Sequence, residues 1–233
     1  MKLATAMTRV ALVAALVLVG SAVNAQPTKT LEGGVTKVAL SQGFVNALGE
    51  LGLRAGTVGP THLRNGVVNF PVTSGAVELD NANLQILHSG GLTLAPASSP
   101  ENAEPTVRLE SFIIDNTGAG PVITGLVIEN GALKGRLPLF NLQLPAGITL
   151  PLKTQDGQLV LDGVGVTLTS KAAQALNKAF GVTALEGGFN IGTAKVRAFV
   201  LDEDGHEGWS WQSHDKPALA VGASRSPNRK GER

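Results

Sequence analysis

The sequence predicts a mainly β fold: a single antiparallel β-sandwich or barrel-like domain with two short helices. Three observations predict it. Short runs rich in Val, Ile, Leu and Thr recur between about residues 30 and 200, separated by glycine, proline and asparagine. Only two windows have helical spacing, which is too few to cover a parallel sheet. The chain contains no cysteine, so packing alone must hold the core.

The candidate strands are the runs in which β-branched and other apolar residues dominate, as a half-buried pleated surface prefers. They are residues 35–40, 66–72, 75–79, 83–88, 91–95, 107–114, 121–129, 133–143, 148–152, 158–168 and 189–200. Asn130-Gly131 and Asp156-Gly157 each lie between two apolar runs, which is a signal of a tight hairpin. Residues 96–106 are polar and rich in proline, so we expect a loop there.

Two helices are predicted, over residues 41–51 and 170–180. Ser41 can cap the first, which ends near Gly52, and Thr169 with Ser170 can cap the second, which Gly181 ends. The two helices follow similar strands, because VALS at 38–41 matches VTLT at 166–169. A repeat would place equivalent strand–helix units at the two ends of the domain, and the first and last strands would then pair. Coincidence among Ala, Leu and Val is the alternative.

The N-terminus has the features of a cleavable secretory signal peptide. Lys2 and Arg9 give a positive start, and residues 10–23 form an apolar run. Val23 and Ala25 fit the small-residue rule for cleavage before Gln26. A membrane anchor is the alternative, but the run is shorter than the roughly 20 apolar residues that span a bilayer. We expect a signal peptide at 1–25, a secreted extracellular or cell-envelope (periplasmic) protein, and no transmembrane span.

The formal net charge of +1 conceals an uneven distribution of charge. Residues 26–213 hold 12 basic and 16 acidic residues, a net charge of −4. Nucleic-acid binding needs a basic face, and none is visible in the sequence. We expect a β-rich domain over 26–205, followed by a flexible basic tail over 206–233 that has too few large apolar residues to fold. The tail either contacts an anionic cell surface or is a solvated terminus.

No enzyme motif is present, which indicates a protein that is not an enzyme. The sequence lacks the patterns of serine hydrolases, zinc proteases, P-loop proteins and EF-hands. The acidic stretch 202–207 offers oxygen ligands to a cation, or is a solvated linker. Trp209 and Trp211 form either a ligand platform or a clasp on the last strand.

The most specific local feature is the segment Leu87-His88-Ser89-Gly90-Gly91. Its flanks are strand-like, so we expect His88 to begin a tight, exposed glycine turn. An exposed imidazole can ligate a metal or haem iron, and two glycines let a flat macrocycle approach the backbone. The candidate binding residues are therefore His88, Ser89, Gly90 and Gly91. The alternative is a histidine that only forms hydrogen bonds within the loop.

The order of several segments resembles the HtaA-type domain of secreted and surface bacterial haem-uptake proteins. They are NFPVTSG at 69–75, HSGGLT at 88–93, VRL at 107–109, FIID at 112–115, GVTLT at 165–169, ALN at 175–177 and FG at 180–181. The resemblance implies a β-rich exported module that binds haem through a tyrosine ligand assisted by a histidine. This chain contains no tyrosine, so a phenolate cannot hold the iron here.

Three functions remain open from the sequence. The first is a secreted, non-enzymatic binding module for haem or another apolar small molecule, with His88 as the candidate iron ligand. The second is a structural or adhesive cell-envelope protein without a small-molecule site, which the scarcity of aromatic residues favours. The third is a secreted hydrolase, and the lack of a recognisable nucleophile or acid–base pair argues against it.

The expected export has a direct test. Protein exported by the native host should begin at Gln26, because Val23 and Ala25 satisfy the small-residue positions before the cut. Intact-mass measurement of the exported protein checks this. A mass that retains residues 1–25 would overturn the assignment.

Overall fold

The computed structural model describes residues 27–100, 102–104 and 106–201. The predicted signal peptide, the predicted tail, the acidic stretch 202–207 and the two tryptophans lie outside the described residues. Neither of the two helices in the described residues is long and apolar enough to cross a membrane.

The described chain consists of twelve strands and two helices. Their bounds are β1 Thr28–Leu40, α1 Gln42–Glu50, β2 Leu53–Val58, β3 His62–Arg64, β4 Val67–Glu78, β5 Asn83–His88, β6 Gly91–Pro96, β7 Val107–Asp115, β8 Val122–Glu129, β9 Ala132–Gln143, β10 Thr154–Gln155, β11 Gln158–Leu168, α2 Ser170–Phe180 and β12 Asn190–Val200.

Eight strands form a closed antiparallel barrel, which confirms the predicted fold class. The ring runs β7-β5-β4-β1-β12-β11-β9-β8, and the β7–β8 pairing closes it. β6 and β2 extend from β7 outside the ring, β3 pairs with β4, and β10 pairs with β11. Apolar side chains on the inner faces of the strands form one core, in which Leu31, Ile86 and Leu159 are fully buried.

The first and last described strands pair, as the sequence repeat predicts. β1 and β12 run antiparallel from the Leu31–Val200 pair to the Leu40–Gly192 pair. The residue that follows β1, Ser41, caps α1, and the residue that follows β11, Thr169, caps α2. The hydroxyl of Ser41 accepts from the backbone N–H of Phe44 at 3.0 Å, and the hydroxyl of Thr169 accepts from that of Ala172 at 3.0 Å. Both predicted caps are therefore confirmed.

The predicted turns also form. Asn130 and Gly131 have φ values of 50° and 76°, and Asp156 and Gly157 have 49° and 71°. Positive φ at both central residues is what a tight hairpin with right-handed twist requires. The described part of the 96–106 loop contains no helix or strand beyond Pro96.

Several predicted strand bounds are wrong, for identifiable reasons. β1 begins at Thr28 rather than residue 35, because a bulge at Gly33-Gly34 lets the strand continue through the glycines. Residues 66–72 and 75–79 belong to the single strand β4. Residues 148–152 are not a strand, and Pro151 removes a donor there. No strand was predicted at β2 or β3. Arg54 and Gly56 interrupt the apolar pattern of β2, and all three residues of β3 are exposed.

The bulge in β1 offers a test of the β1–β12 pairing. Gly34 has φ 107°, and a Cβ there would lie 2.2 Å from the carbonyl oxygen of Arg197 on β12. Gly34→Ala should therefore lower the free energy of unfolding by about 1–3 kcal/mol, measured by urea denaturation.

Gly49→Ala is the matched control. Gly49 lies in α1, and apart from the neighbouring backbone of the helix itself no atom lies within 4 Å of the position that a Cβ would take there. The same substitution at this site should raise the free energy of unfolding by about 0.5–1 kcal/mol, since it removes backbone freedom from the unfolded chain. Equal effects of the two substitutions would contradict the role given to Gly34.

Candidate functional site

His88 points into the barrel, so the prediction of an exposed turn histidine is wrong. It is the last residue of β5, and its side chain is 6 % exposed. Side chains alternate along a strand, which places Leu84, Ile86 and His88 on the inner face and Leu87 outside. The glycine turn begins at Ser89 and not at His88. His88 is therefore still part of the strand, and the alternation of side chains along the strand directs its imidazole to the inner face.

Both ring nitrogens of His88 have hydrogen-bond partners. Nδ1 lies 3.3 Å from the carbonyl oxygen of Phe112 on β7, and Nε2 lies 2.7 Å from Oγ1 of Thr36 on β1. A carbonyl oxygen only accepts, so Nδ1 carries the proton and donates. Nε2 is then the acceptor, and the Thr36 hydroxyl donates to it. The pair links β1, β5 and β7 across the interior.

The surroundings of His88 keep its imidazole neutral. Desolvation by burial lowers its pKa from 6.5 to about 4, while the carbonyl groups of Phe112 and Ile86 oppose this shift. The ring of Phe70 lies edge-on, with centroids 6.5 Å apart, and Phe70 packs in the same way on Phe112 at 5.2 Å. The histidine is therefore a neutral, fully bonded group in an apolar interior.

The other predicted site residues serve the backbone of the turn. The N–H of Ser89 donates to the carbonyl of Pro71 at 3.1 Å. A Cβ at Gly90 would lie 2.3 Å from Oγ1 of Thr61, and one at Gly91 would lie 2.1 Å from the carbonyl oxygen of Leu109. Other parts of the chain already occupy the space beside both glycines. The expected approach of a flat macrocycle could therefore not use the side on which a Cβ would project, and it stays a prediction.

A row of apolar cavities runs through the barrel. The central cavity, of about 40 Å³, is lined by Thr36, His88 and apolar side chains. The helix-end cavity, of about 50 Å³, lies between the barrel and the two helices. The two share Leu40, Val68, Leu92, Phe140 and Ile191 in their walls. A third cavity, of about 30 Å³, lies towards the opposite end and shares Thr36 with the central one.

The helix-end cavity lies beneath the two helices. Its walls are apolar except for Thr93. Phe44 and Leu51 from the α1 region and Leu176 and Phe180 from α2 line it, and all four are only partly buried. Side chains of two short helices therefore separate an apolar interior from water.

The described residues contain no group of three or more metal-ligating side chains. Within them, the second histidine in the β region, His62, is exposed at the start of β3. Nε2 of His88 could bind iron only after its hydrogen bond with the Thr36 hydroxyl is broken. The cavity beside His88, of about 40 Å³, is also far smaller than a porphyrin. The described conformation does not fit haem at His88.

Sequence reasoning identified His88 but missed its partners. Thr36, Phe70 and Phe112 are contributed by three other strands. Phe70 and Phe112 lie in the NFPVTSG and FIID segments of the resemblance, but nothing in those segments indicated that they lie beside His88. The alternation of Leu84, Ile86 and His88 was the available signal for burial. Thr36 had no comparable signal, because threonine is ordinary in strands.

No family model matches the sequence, and no curated protein matches it. The structure is similar to the C-terminal domain of HtaA from Corynebacterium glutamicum, with 14% identity, 74% of this chain and 99% of that chain covered, and a TM-score of 0.55. It is also similar to the N-terminal domain of HtaA from that organism, with 12% identity, the same shares covered and a TM-score of 0.51. The expected HtaA-type fold is confirmed.

The buried histidine predicts a pH-dependent stability. Its pKa is about 4 when folded and 6.5 as the reference value for an exposed histidine, so between these values the unfolded state binds more protons. The free energy of unfolding should fall as the pH drops from about 6.5 towards 4, by on the order of 3 kcal/mol from this group. Urea denaturation across that range measures it.

Two glutamine variants isolate the contribution of His88. His88→Gln should flatten the pH dependence relative to the wild type, whereas His62→Gln, at the exposed histidine, should leave it unchanged. Carboxylates that titrate below pH 5 cancel in the comparison. A His88→Gln curve parallel to that of the wild type would show that His88 does not titrate in this way.

Proposed function

Taking the HtaA-type fold as given, we propose that the chain is an exported, non-enzymatic module that binds an apolar small molecule at the helix-covered end of the barrel. The helix-end cavity carries this proposal. Barrel mouths are a common place for small-molecule sites, and apolar walls with few polar groups are typical of them. Haem is the first named candidate, because the family resemblance points to it.

The driving force would be burial of apolar surface. Phe44, Leu51, Leu176 and Phe180 are partly exposed, and a ligand that covers them removes apolar area from water. Fully burying one such side chain contributes about 1.5–3 kcal/mol. The empty cavity is small, so a ligand must displace the helix side chains to enter. Hydrogen bonds tie the N-cap residues of both helices to the barrel, from the N–H of Ser41 to the carbonyl of Ile191 and from the N–H of Thr169 to the carbonyl of Leu139, so the side chains of the helices would move rather than their caps.

Haem makes heavier demands on this site than a slender molecule does. A macrocycle needs a wide flat opening, which requires α1 or α2 to move away from the barrel. The iron would have His88 as its candidate ligand, and Nε2 would have to exchange the Thr36 hydroxyl for the metal. Haem therefore remains a candidate to be tested, and a smaller apolar molecule fits the described interior better.

The test of the proposed site uses two neighbouring residues of α1. Phe44 lines the helix-end cavity, whereas Val45 is 42 % exposed and does not. Phe44→Gln should weaken binding of the neutral apolar dye Nile red by about tenfold, because it removes apolar contact area. Val45→Gln should change binding by less than about twofold. Dye fluorescence measures binding, and circular dichroism checks that both variants are folded.

Haem is tested by titration of the wild type beside His88→Ala. If His88 ligates the iron, the variant should bind at least about tenfold more weakly and lose the Soret shift. An unchanged Soret band in the variant would remove His88 as a ligand. If the wild type binds neither the dye nor haem in a saturable way, the binding function is contradicted and a structural or adhesive envelope protein is favoured instead.

A further inference from the structure

We propose that the tryptophan segment of the chain's own tail, residues 208–212, docks on an apolar loop at the barrel end opposite the helices. The far-end loop, residues 144–152, connects β9 to β10. Its exposed side chains Leu144, Leu150 and Pro151 form the docking surface. Docking there does not depend on the ligand proposed for the helix-end cavity.

The far-end loop has a buried face and an exposed face. Ile148 and Leu152 pack on the core, and together with Leu144 they line the cavity at this end of the barrel. Leu150 lies between them in sequence but does not line that cavity, and its side chain is 54 % exposed. The loop therefore covers the barrel with one set of side chains and turns another set outwards.

The exposed face of the loop is apolar. Residues 144–151 contain no charged side chain. Two of the six large apolar side chains that are exposed in the described chain, Leu144 and Leu150, lie within these eight residues. Exposed apolar side chains scattered singly are ordinary, whereas a concentration of them marks an interaction surface.

The tail leaves the barrel close to this surface. The N–H of Leu201 donates to the carbonyl of Thr30 on β1 at 2.9 Å. On the other side of β1, β4 is followed by Leu79, whose carbonyl accepts from the N–H of Leu152 at 2.7 Å. Leu201 and Leu79 are thus two strand spacings apart across the sheet and about three residues apart along it, which is roughly 14 Å.

The tryptophans can reach the loop from this exit. Trp209 follows Leu201 by eight residues, which span about 26 Å when extended. In an extended segment the rings of Trp209 and Trp211 project to the same side, so both can lie on one surface. Docking would remove apolar area of the rings and of Leu150 from water, and aromatic rings bury more area than other side chains do.

Charge favours the tail over a lipid surface as the occupant. The charged side chains at this end of the barrel include Glu78, Asp80, Asp115, Asp156, Lys29 and Lys153. Acidic residues predominate among them, and residues 202–207 add four more. Residues 208–233 hold five basic and two acidic residues, a net charge of +3. The tail therefore has the sign of charge that this end attracts, whereas an anionic bilayer has the sign that it repels.

Tryptophan emission of the intact exported protein reports docking directly, because the chain has two tryptophans and no tyrosine. We expect a blue-shifted emission that is shielded from acrylamide. Leu150→Asp should raise the undocked fraction by at least about tenfold and shift the emission to the red. Leu133→Asp is the matched control, at a 65 % exposed leucine near the other end of β9, and it should leave the emission unchanged.

The absence of cysteine allows a second test that leaves Leu150 and both tryptophans in place. Thr149→Cys combined with Gln212→Cys should form an intramolecular disulfide on mild oxidation, since both positions lie beside the proposed contact. Replacing Trp209 and Trp211 by serine in the same protein should slow this reaction by about fivefold or more, because the effective concentration falls when the tail is released. Mass spectrometry identifies the disulfide.

Red-shifted, freely quenched emission in the wild type would overturn the proposal, and so would identical emission of folded Leu150→Asp. A disulfide rate that does not depend on the tryptophans would also overturn it, and this test decides the question if Leu150→Asp does not fold. A blue shift that appears only with anionic phospholipid vesicles would assign the segment to a lipid surface instead. One that grows with protein concentration would assign it to a second copy of the chain.

Discussion

β1 and β12 pair along their length, from Leu31 with Val200 to Leu40 with Gly192. Within the described chain this pairing joins the first strand to the last and completes the ring that β7 and β8 close elsewhere. A closed ring leaves no free edges among its eight strands, and it turns one face of every strand inwards. The caps of both helices and the apolar interior depend on this closure, because each helix begins where a strand of the ring ends.

Closure of the barrel buries two polar side chains, Thr36 and His88, in an apolar interior. The hydrogen bonds that these side chains form offset the free-energy cost of burying them. A buried imidazole without partners would be strongly destabilising, but His88 has Phe112 and Thr36. The pair connects three strands that are distant in sequence. The hydrogen bonds within the pair leave the cavity beside it with apolar walls.

The HtaA-type fold does not by itself determine which ligand a protein binds. Folds host many functions, and activity resides in particular side chains. This chain has the fold but no tyrosine, and its histidine lies inside the barrel with both nitrogens bonded. What remains from the fold is a barrel with two helices over one end. The proposal of a binding module therefore depends on the side chains of this particular chain and not on the fold alone.

The sequence by itself determined the β class, the two helices with their Ser41 and Thr169 caps, and the Asn130-Gly131 turn. These features follow from local preferences of backbone and side chains. It also singled out His88 but assigned it to solvent. Only the tertiary structure decided that Leu84, Ile86 and His88 face inwards and that Thr36 is the partner of His88. The reason is physical: hydrogen bonds between residues 52 positions apart depend on strand register, which the packing of the whole barrel fixes.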